Sequence, residues 1–206
     1  MNEFALPVQI VPQKITRPNL EIYYPQITQG TNPFALQNMN REIFDLVLRL
    51  TQEQGYFQNP QGHQVTGFFE VKNNQRGVLS LNISNYTYPL QAAHGTTIIK
   101  SLTFDIATGK SYKLHELFKL DSNYIEVLNK IIQTQIRERK IPIINGFIGV
   151  TPNQDYYIAD KVLVIYYQLY EMTPYVFGFP MFPISVYQIQ NLIREDGPLG
   201  VMLINR

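Results

Sequence analysis

The chain has 206 residues, of which 45% are hydrophobic and 13% aromatic, enough apolar material for a packed interior in one large domain or two small ones. A formal net charge of +1 with only 16% charged residues argues against a duplex nucleic acid or an anionic membrane surface as partner. There is no cysteine, which removes thiol catalysis, thiolate metal sites and disulfides, and the aromatic content is carried by 14 Tyr and 12 Phe.

In chain order, residues 1–18 read as a loose or strand-forming arm interrupted by Pro7, Pro12 and Pro18. The segment lacks a basic n-region and a continuous apolar core, so it predicts no export signal; the compartment stays open. No apolar run reaches the roughly 18 to 20 residues needed to span a bilayer. Glu21–Tyr24 predicts a strand ended by Pro25. Asn32-Pro33 is a helix start, with Asn as N-cap and Pro at the first helical position. The helix runs to about Gln54, where Gly55 stops it. Leu36, Met39, Ile43, Leu46, Val47 and Leu50 recur every three or four residues as one apolar stripe. Asn40, Arg41, Asp45 and Arg49 lie off that stripe and read as solvated.

Strands follow at about Val65–Lys72 and Gly77–Tyr86, joined by an Asn73-Asn74-Gln75-Arg76 turn. In the second, Val78, Ser80, Asn82 and Ser84 face one way and Leu79, Leu81, Ile83 and Asn85 the other, a half-buried sheet with one polar face. A loop of small residues around His94, Ala92-Ala93-His94-Gly95, precedes a strand at Thr97–Asp105 and a Thr108-Gly109 turn. Asp121 or Ser122 caps a second helix to about Lys140, and Arg137-Glu138-Arg139-Lys140 places cations at its end, where they complement the helix dipole. Beyond Pro142, Tyr156–Tyr170 reads as one long central strand. Tyr175–Phe182 is a candidate neighbour, held to an edge by Pro174, Pro180 and Pro183. Ser185 opens a short last helix that Gly197-Pro198 ends. The prediction is an α+β fold: an antiparallel or mixed sheet packed with two main helices and a short C-terminal helix. Two sub-domains share a core, 1–90 and 91–206, with the seam near residues 88–96.

Chemistry is sparse. His63, His94 and His115 are dispersed and form no metal-ligand spacing, so no metal and no cofactor is expected. The serines lie on alternating strands without a nucleophile signature. Glu171 with Asp155 or Asp160 is imaginable as a carboxylate pair, yet no motif supports one, and a satisfied strand-end carboxylate is the better account of Glu171. Gly146–Gly149 is too short for a phosphate loop and lacks the Lys-Ser/Thr that follows one. No catalytic residue is assigned. Tyr and Pro concentrate instead in Tyr86-Thr87-Tyr88-Pro89 and Met172–Phe177. Tyr offers rigid area with a polar tip, suited to recognising protein or sugar, or else to capping the ends of a sheet. His94 is open to a structural or a ligand-facing reading.

Several pieces together carry a family resemblance: Tyr23–Ile27, Gly77–Leu81, Ala92–Gly95, Ser101–Lys110, Leu114–Phe118, Asp155–Ile158 and Val164–Glu171 running into Thr173–Tyr175. In order and spacing, from about Leu20 to Ile193, they resemble the extracellular domains of RsiV-type anti-sigma factors, which also sit beside polysaccharide deacetylase domains. Residues 1–90 resemble the deacetylase-associated half and 91–206 the RsiV C-terminal half. Many relatives carry Gly where this protein has Ala92. The resemblance implies a non-catalytic binding or sensing module, directed at lysozyme or another cell-wall protein, or at a glycan. The candidate partner-binding residues are Tyr88, Pro89, His94, Gly95, Glu171, Pro174 and Tyr175. The alternatives are a structural or assembly protein of the cell envelope or spore and, third, a hydrolase. Oligomeric state is left open.

Overall fold

The structure, a computed structural model, describes residues 6–30 and 32–204. The first five residues of the expected N-terminal arm, Thr31 and the last two residues of the tail lie outside them. The fold is α+β, and the protein divides into two compact units, Met1–Ser111 and Tyr112–Arg206.

The first unit is a five-stranded sheet in sequential order: β1 (Gln9–Arg17), β2 (Leu20–Gln29), β3 (His63–Gln75), β4 (Val78–Pro89) and β5 (Thr96–Asp105). All neighbours are antiparallel except β2 and β3, which run parallel over Leu20–Ile22 and Val65–Gly67. The expected seam near 88–96 does not coincide with the division between the units, because β5 pairs with β4 along ten registered positions, from Thr87↔Thr96 to Val78↔Asp105.

The helix of this unit, α1 (Pro33–Glu53), matches its sequence signals at both ends. Asn32 Oδ1 accepts from the backbone N–H of Phe34 (3.0 Å) and Ala35 (3.4 Å), satisfying two of the donors that a helix start leaves free. Gly55, at φ 82°, follows the last turn. Met39, Ile43, Leu46, Val47 and Leu50 are buried against Leu79, Leu81 and Ile83 of β4 and Ile22 and Ile27 of β2 in one core cluster.

Pro25 does not end β2, as the sequence suggested; it lies inside the strand, directly opposite Pro12 of β1. Opposed residues of an antiparallel pair exchange both backbone hydrogen bonds or neither, and proline has no N–H, so two prolines fit together where none is exchanged. On its other side β2 has left β3 after Ile22, and no ladder bond is lost there. Asn40 of α1, expected in solvent, takes the place of the missing strand neighbour: its Nδ2 donates to the Ile27 carbonyl and its Oδ1 accepts from the Ile27 N–H, both at 2.8 Å.

The β3–β4 turn falls two residues later than expected, at Arg76-Gly77, whose φ angles of 55° and 73° are those a two-residue type I′ hairpin requires. The polar face of β4 is buried. Ser80 pairs with Thr103 at 2.9 Å and Ser101 donates to Asn82 Oδ1 at 2.8 Å, so β4 and the edge strand β5 exchange side-chain hydrogen bonds as well as backbone ones.

The second unit holds a three-stranded antiparallel meander, β6 (Tyr156–Ala159), β7 (Val162–Tyr166) and β8 (Met181–Ser185), and the helix α2 (Tyr124–Glu138). The single long strand predicted for Tyr156–Tyr170 is therefore a hairpin, turned at Asp160-Lys161 with Asp160 at φ 49°. β8 is an edge strand that tolerates Pro183, and Tyr175–Phe177 forms a 3-10 turn rather than a strand. The outer edge of β8 is covered by α2: Gln135 Nε2 donates to the Pro183 carbonyl and Arg139 Nη1 to the Met181 carbonyl, each at 2.7 Å. Arg139 also lies over the Phe182 ring, 5.6 Å from its centroid. It is thus tied to a strand edge as well as standing at a helix end. The helix expected from Ser185 resolves into two 3-10 turns, Val186–Gln188 and Gln190–Leu192, and the short C-terminal helix α3 is Gly200–Leu203.

Candidate binding surface

Of the candidate residues, Tyr88, Pro89, His94 and Gly95 come together where β4 ends and β5 begins. Tyr88 OH donates to the Ala92 carbonyl at 2.9 Å and closes the loop. His94 is exposed, and its Nδ1 lies 3.0 Å from the Gly95 carbonyl, so a proton on that nitrogen is held by the loop's own backbone. Gly95 is buried beneath Tyr86: a Cβ built on it would come within 2.4–2.5 Å of the phenol ring and its hydroxyl. The small residues around His94 therefore make room for an aromatic ring.

The Ser101–Lys110 motif has a comparable local account. Asp105 Oδ1 accepts from Thr108 N (2.7 Å) and Thr108 Oγ1 (2.8 Å), and the Asp105 carbonyl accepts from Gly109 N (2.8 Å). The turn so formed is seated on the first turn of α1, with Asn32 Nδ2 donating to the Ala107 carbonyl at 2.9 Å.

Glu171, Pro174 and Tyr175 lie in the segment between β7 and β8. Tyr170 is in the left-handed region at φ 64°, in a turn closed by Glu171 N donating to the Gln168 carbonyl at 3.2 Å. The Glu171 carboxylate accepts from Gln168 N at 2.6 Å, and the Gln168 side-chain amide donates to Asp155 Oδ2 at 2.8 Å. The two carboxylates considered as a pair are thus each engaged by Gln168, and Asp160 sits apart in the β6–β7 turn. Tyr170 stacks on Tyr175 with ring centroids 5.4 Å apart and stays 50% exposed, beside a 92% exposed Val176 and an exposed Phe177. Beneath this surface Tyr167 is fully buried, edge-on to Phe147 and Phe182, with its hydroxyl donating to the Gly149 carbonyl at 2.9 Å. Burial, and secondarily the Glu171 charge, raises the Tyr167 phenol well above its ordinary pKa.

Val176 and Phe177 fall in the Met172–Phe177 loop that composition singles out, though neither is among the candidate contact residues, whereas the sequence reading missed Tyr170 as a surface residue. It also missed a cleft of about 300 Å³ lined by His115, Lys119, Leu120, Tyr124, Pro152 and Asn153. There His115 N and Nδ1 both lie against the Pro152 carbonyl (3.0 and 3.2 Å), and Tyr124 stacks flat on Phe118 at 4.3 Å. Among the described residues no group of three or more His, Asp or Glu side chains converges as a metal site would, and no helix is long and apolar enough to cross a membrane.

The same α+β architecture occurs in solved structures. A member of the DUF3298 family from Bacteroides fragilis NCTC 9343 superposes with a TM-score of 0.70 at 17% identity, over 97% of this protein and 98% of its own length. A DUF3298 family protein from Pseudomonas aeruginosa PAO1 gives 0.70 at 13% identity, over 98% of each. At such identities the likeness establishes the fold. In sequence, residues 115–187 match DUF3298, described as a protein family of unknown function. That stretch contains Glu171, Pro174 and Tyr175; Tyr88, Pro89, His94 and Gly95 precede it. No curated protein matches the sequence.

Proposed function

We propose that this protein is a binding module that grips its partner without transforming it, and that the segment 168–179 is the gripping surface. The partner is a cell-wall protein such as lysozyme or a cell-wall glycan, as the resemblance to RsiV-type sensing domains implies. The supporting observation is Tyr170. A bulky residue in the left-handed region carries a backbone cost of about 1–3 kcal/mol that glycine would avoid, and such strain concentrates at functional positions. Here it sets an aromatic pair at the surface next to a bare valine. Glu171 contributes by fixing the turn, since its carboxylate is taken up by Gln168.

Calorimetry with lysozyme and with soluble peptidoglycan fragments, at ligand concentrations on the order of tens of micromolar, tests the reading. Saturable heat from one of them, abolished by Val176→Asp at unchanged thermal stability, is the expected result. Absence of binding to both removes it.

The same bare valine and aromatic pair support a second reading, an assembly protein of the envelope or spore that associates through this surface. Concentration-dependent oligomers in light scattering, dispersed by Val176→Asp, would favour it, and a strict monomer would count against it. A hydrolase is the third reading; peptidoglycan turnover lost on His94→Ala would raise it.

A further inference from the structure

The sequence has one Asn-Gly pair, Asn145-Gly146, and one Asp-Gly pair, Asp196-Gly197, and the structure treats them oppositely. At Asp196 the carboxylate is clamped by its neighbour: Arg194 Nε donates to Oδ1 at 3.1 Å and Arg194 Nη2 to Oδ2 at 2.8 Å. The Gly197 N–H is engaged as well, donating to the Arg194 carbonyl at 3.2 Å. Neither the carboxyl carbon nor the nitrogen that would attack it is free to move.

Asn145 and Gly146 are both exposed, in the loop between α2 and β6. Gly146 is at φ 78°, and a Cβ built on it would meet nothing within 4 Å. Among the described residues neither the Asn145 carboxamide nor the Gly146 N–H has a hydrogen-bond partner. The nitrogen is therefore unprotected, unhindered by a side chain, and belongs to the residue type with maximal backbone freedom.

From this contrast we infer that Asn145 is a site of spontaneous deamidation in the folded protein. The Gly146 backbone nitrogen attacks Asn145 Cγ. A Gly146 N–Cγ bond forms, the Cγ–Nδ2 bond of the carboxamide breaks, and ammonia leaves with the proton from the glycine nitrogen, closing a succinimide. Water then opens the ring. Attack at the Cγ carbonyl gives aspartate, and attack at the α-carbonyl gives isoaspartate, in which the backbone runs through the former side chain. No electron transfer is involved.

Both products place a new carboxylate beside Ile144, whose N–H donates to the Met172 carbonyl at 3.0 Å and so links this loop to the segment preceding Pro174 and Tyr175. The change would add negative charge next to the exposed aromatic segment. The modification itself is independent of whether that segment binds a partner.

The test is prolonged incubation of the folded, full-length protein at neutral pH and physiological temperature, with peptide mapping by mass spectrometry and isoaspartate detection. The expected result is aspartate and isoaspartate accumulating at residue 145 faster than at exposed asparagines not followed by glycine, such as Asn153 and Asn191. Asp196 should stay unconverted in the native protein and isomerise once denaturant releases the Arg194 clamp. Gly146→Ala, which adds a Cβ beside the attacking nitrogen, should slow conversion at residue 145 by roughly tenfold without altering the fold's circular dichroism. Conversion at residue 145 no faster than at Asn153, or no slower in Gly146→Ala, would overturn the assignment. Native-state isomerisation of Asp196 at the Asn145 rate would overturn the role given to the Arg194 clamp.

Discussion

The phenol ring of Tyr86 occupies the volume in which a Cβ on Gly95 would sit, whereas the volume beside Gly109 is filled by the backbone of Ala35. A Cβ on Gly95 would lie 2.4 Å from Tyr86 Cζ; one on Gly109 would lie 2.6 Å from both Ala35 Cα and the Ala35 carbonyl oxygen, with φ at 74°. The end of an exposed tyrosine can swing aside, but a helix backbone cannot. Gly95→Ala is therefore expected to displace Tyr86 at a cost of no more than about 1 kcal/mol, and Gly109→Ala to cost about 3 kcal/mol through overpacking added to backbone strain. Urea unfolding of both variants, with Gly95→Ala repeated in a Tyr86→Ala background where its cost should vanish, checks the distinction.

Asn40 supplies both a donor and an acceptor to Ile27, so no single isostere replaces it. Asn40→Leu strips partners from two part-buried backbone groups and should cost about 2–4 kcal/mol, from about one to two kcal/mol for each unsatisfied group. Asn40→Asp keeps the acceptor for Ile27 N–H but sets a carboxylate against the Ile27 carbonyl, and should cost as much as or more than Asn40→Ala. Equal midpoints for Asn40→Asp and wild type in chemical denaturation would contradict this account.

These residues show where the sequence is readable and where it is not. α1 is legible at both ends because its cap, its first-position proline and its apolar period all act within the helix itself. Asn40 escapes such a reading because its role depends on β3 departing from β2 after Ile22, a tertiary fact with no local trace. The β6–β7 hairpin is hidden by its turn: Ala159-Asp160-Lys161 has no glycine, proline or asparagine, and the apolar alternation continues on both sides of it. At the candidate surface, composition points to Pro174 and Tyr175. Nothing in a sequence, however, marks a tyrosine that will adopt positive φ. The cleft at His115, Tyr124 and Pro152 joins segments about thirty residues apart and is equally invisible.

Tyr167 gives the second unit an alkaline limit. Its phenol is raised above the ordinary value of 10.0 by burial first and by the Glu171 charge second. Between the ordinary and the folded pKa the native protein retains a proton that the unfolded polypeptide has lost. Its contribution to stability is therefore complete below about pH 10 and declines as pH rises from there through the folded pKa. Tyr167→Phe removes this dependence. It also removes the hydrogen bond to Gly149, costing about 1–2 kcal/mol at neutral pH with one carbonyl left unpaired. Thermal midpoints measured from neutral to strongly alkaline pH should converge for the two proteins; a parallel decline would refute the assignment of the alkaline limit to this hydroxyl.

Tyr170 separates stability from binding in one substitution. Tyr170→Gly relieves a left-handed backbone cost of about 1–3 kcal/mol and forfeits the Tyr175 stacking, about 0.5–1.5 kcal/mol. The net expectation is a protein as stable as wild type or slightly more so. If the strained tyrosine is retained only to cap the end of the sheet, nothing else should change. If it is retained to present the aromatic pair, binding to the partner should fall by about tenfold or more, as for loss of an aromatic hot spot. Tyr170→Ala is the necessary companion, since it keeps the backbone strain and loses the ring: it should be less stable than Tyr170→Gly by about 1 kcal/mol and equally defective in binding. A Tyr170→Gly variant that unfolds more readily than Tyr170→Ala would show that the left-handed turn carries no strain, and Tyr170 would then no longer point to a recognition surface.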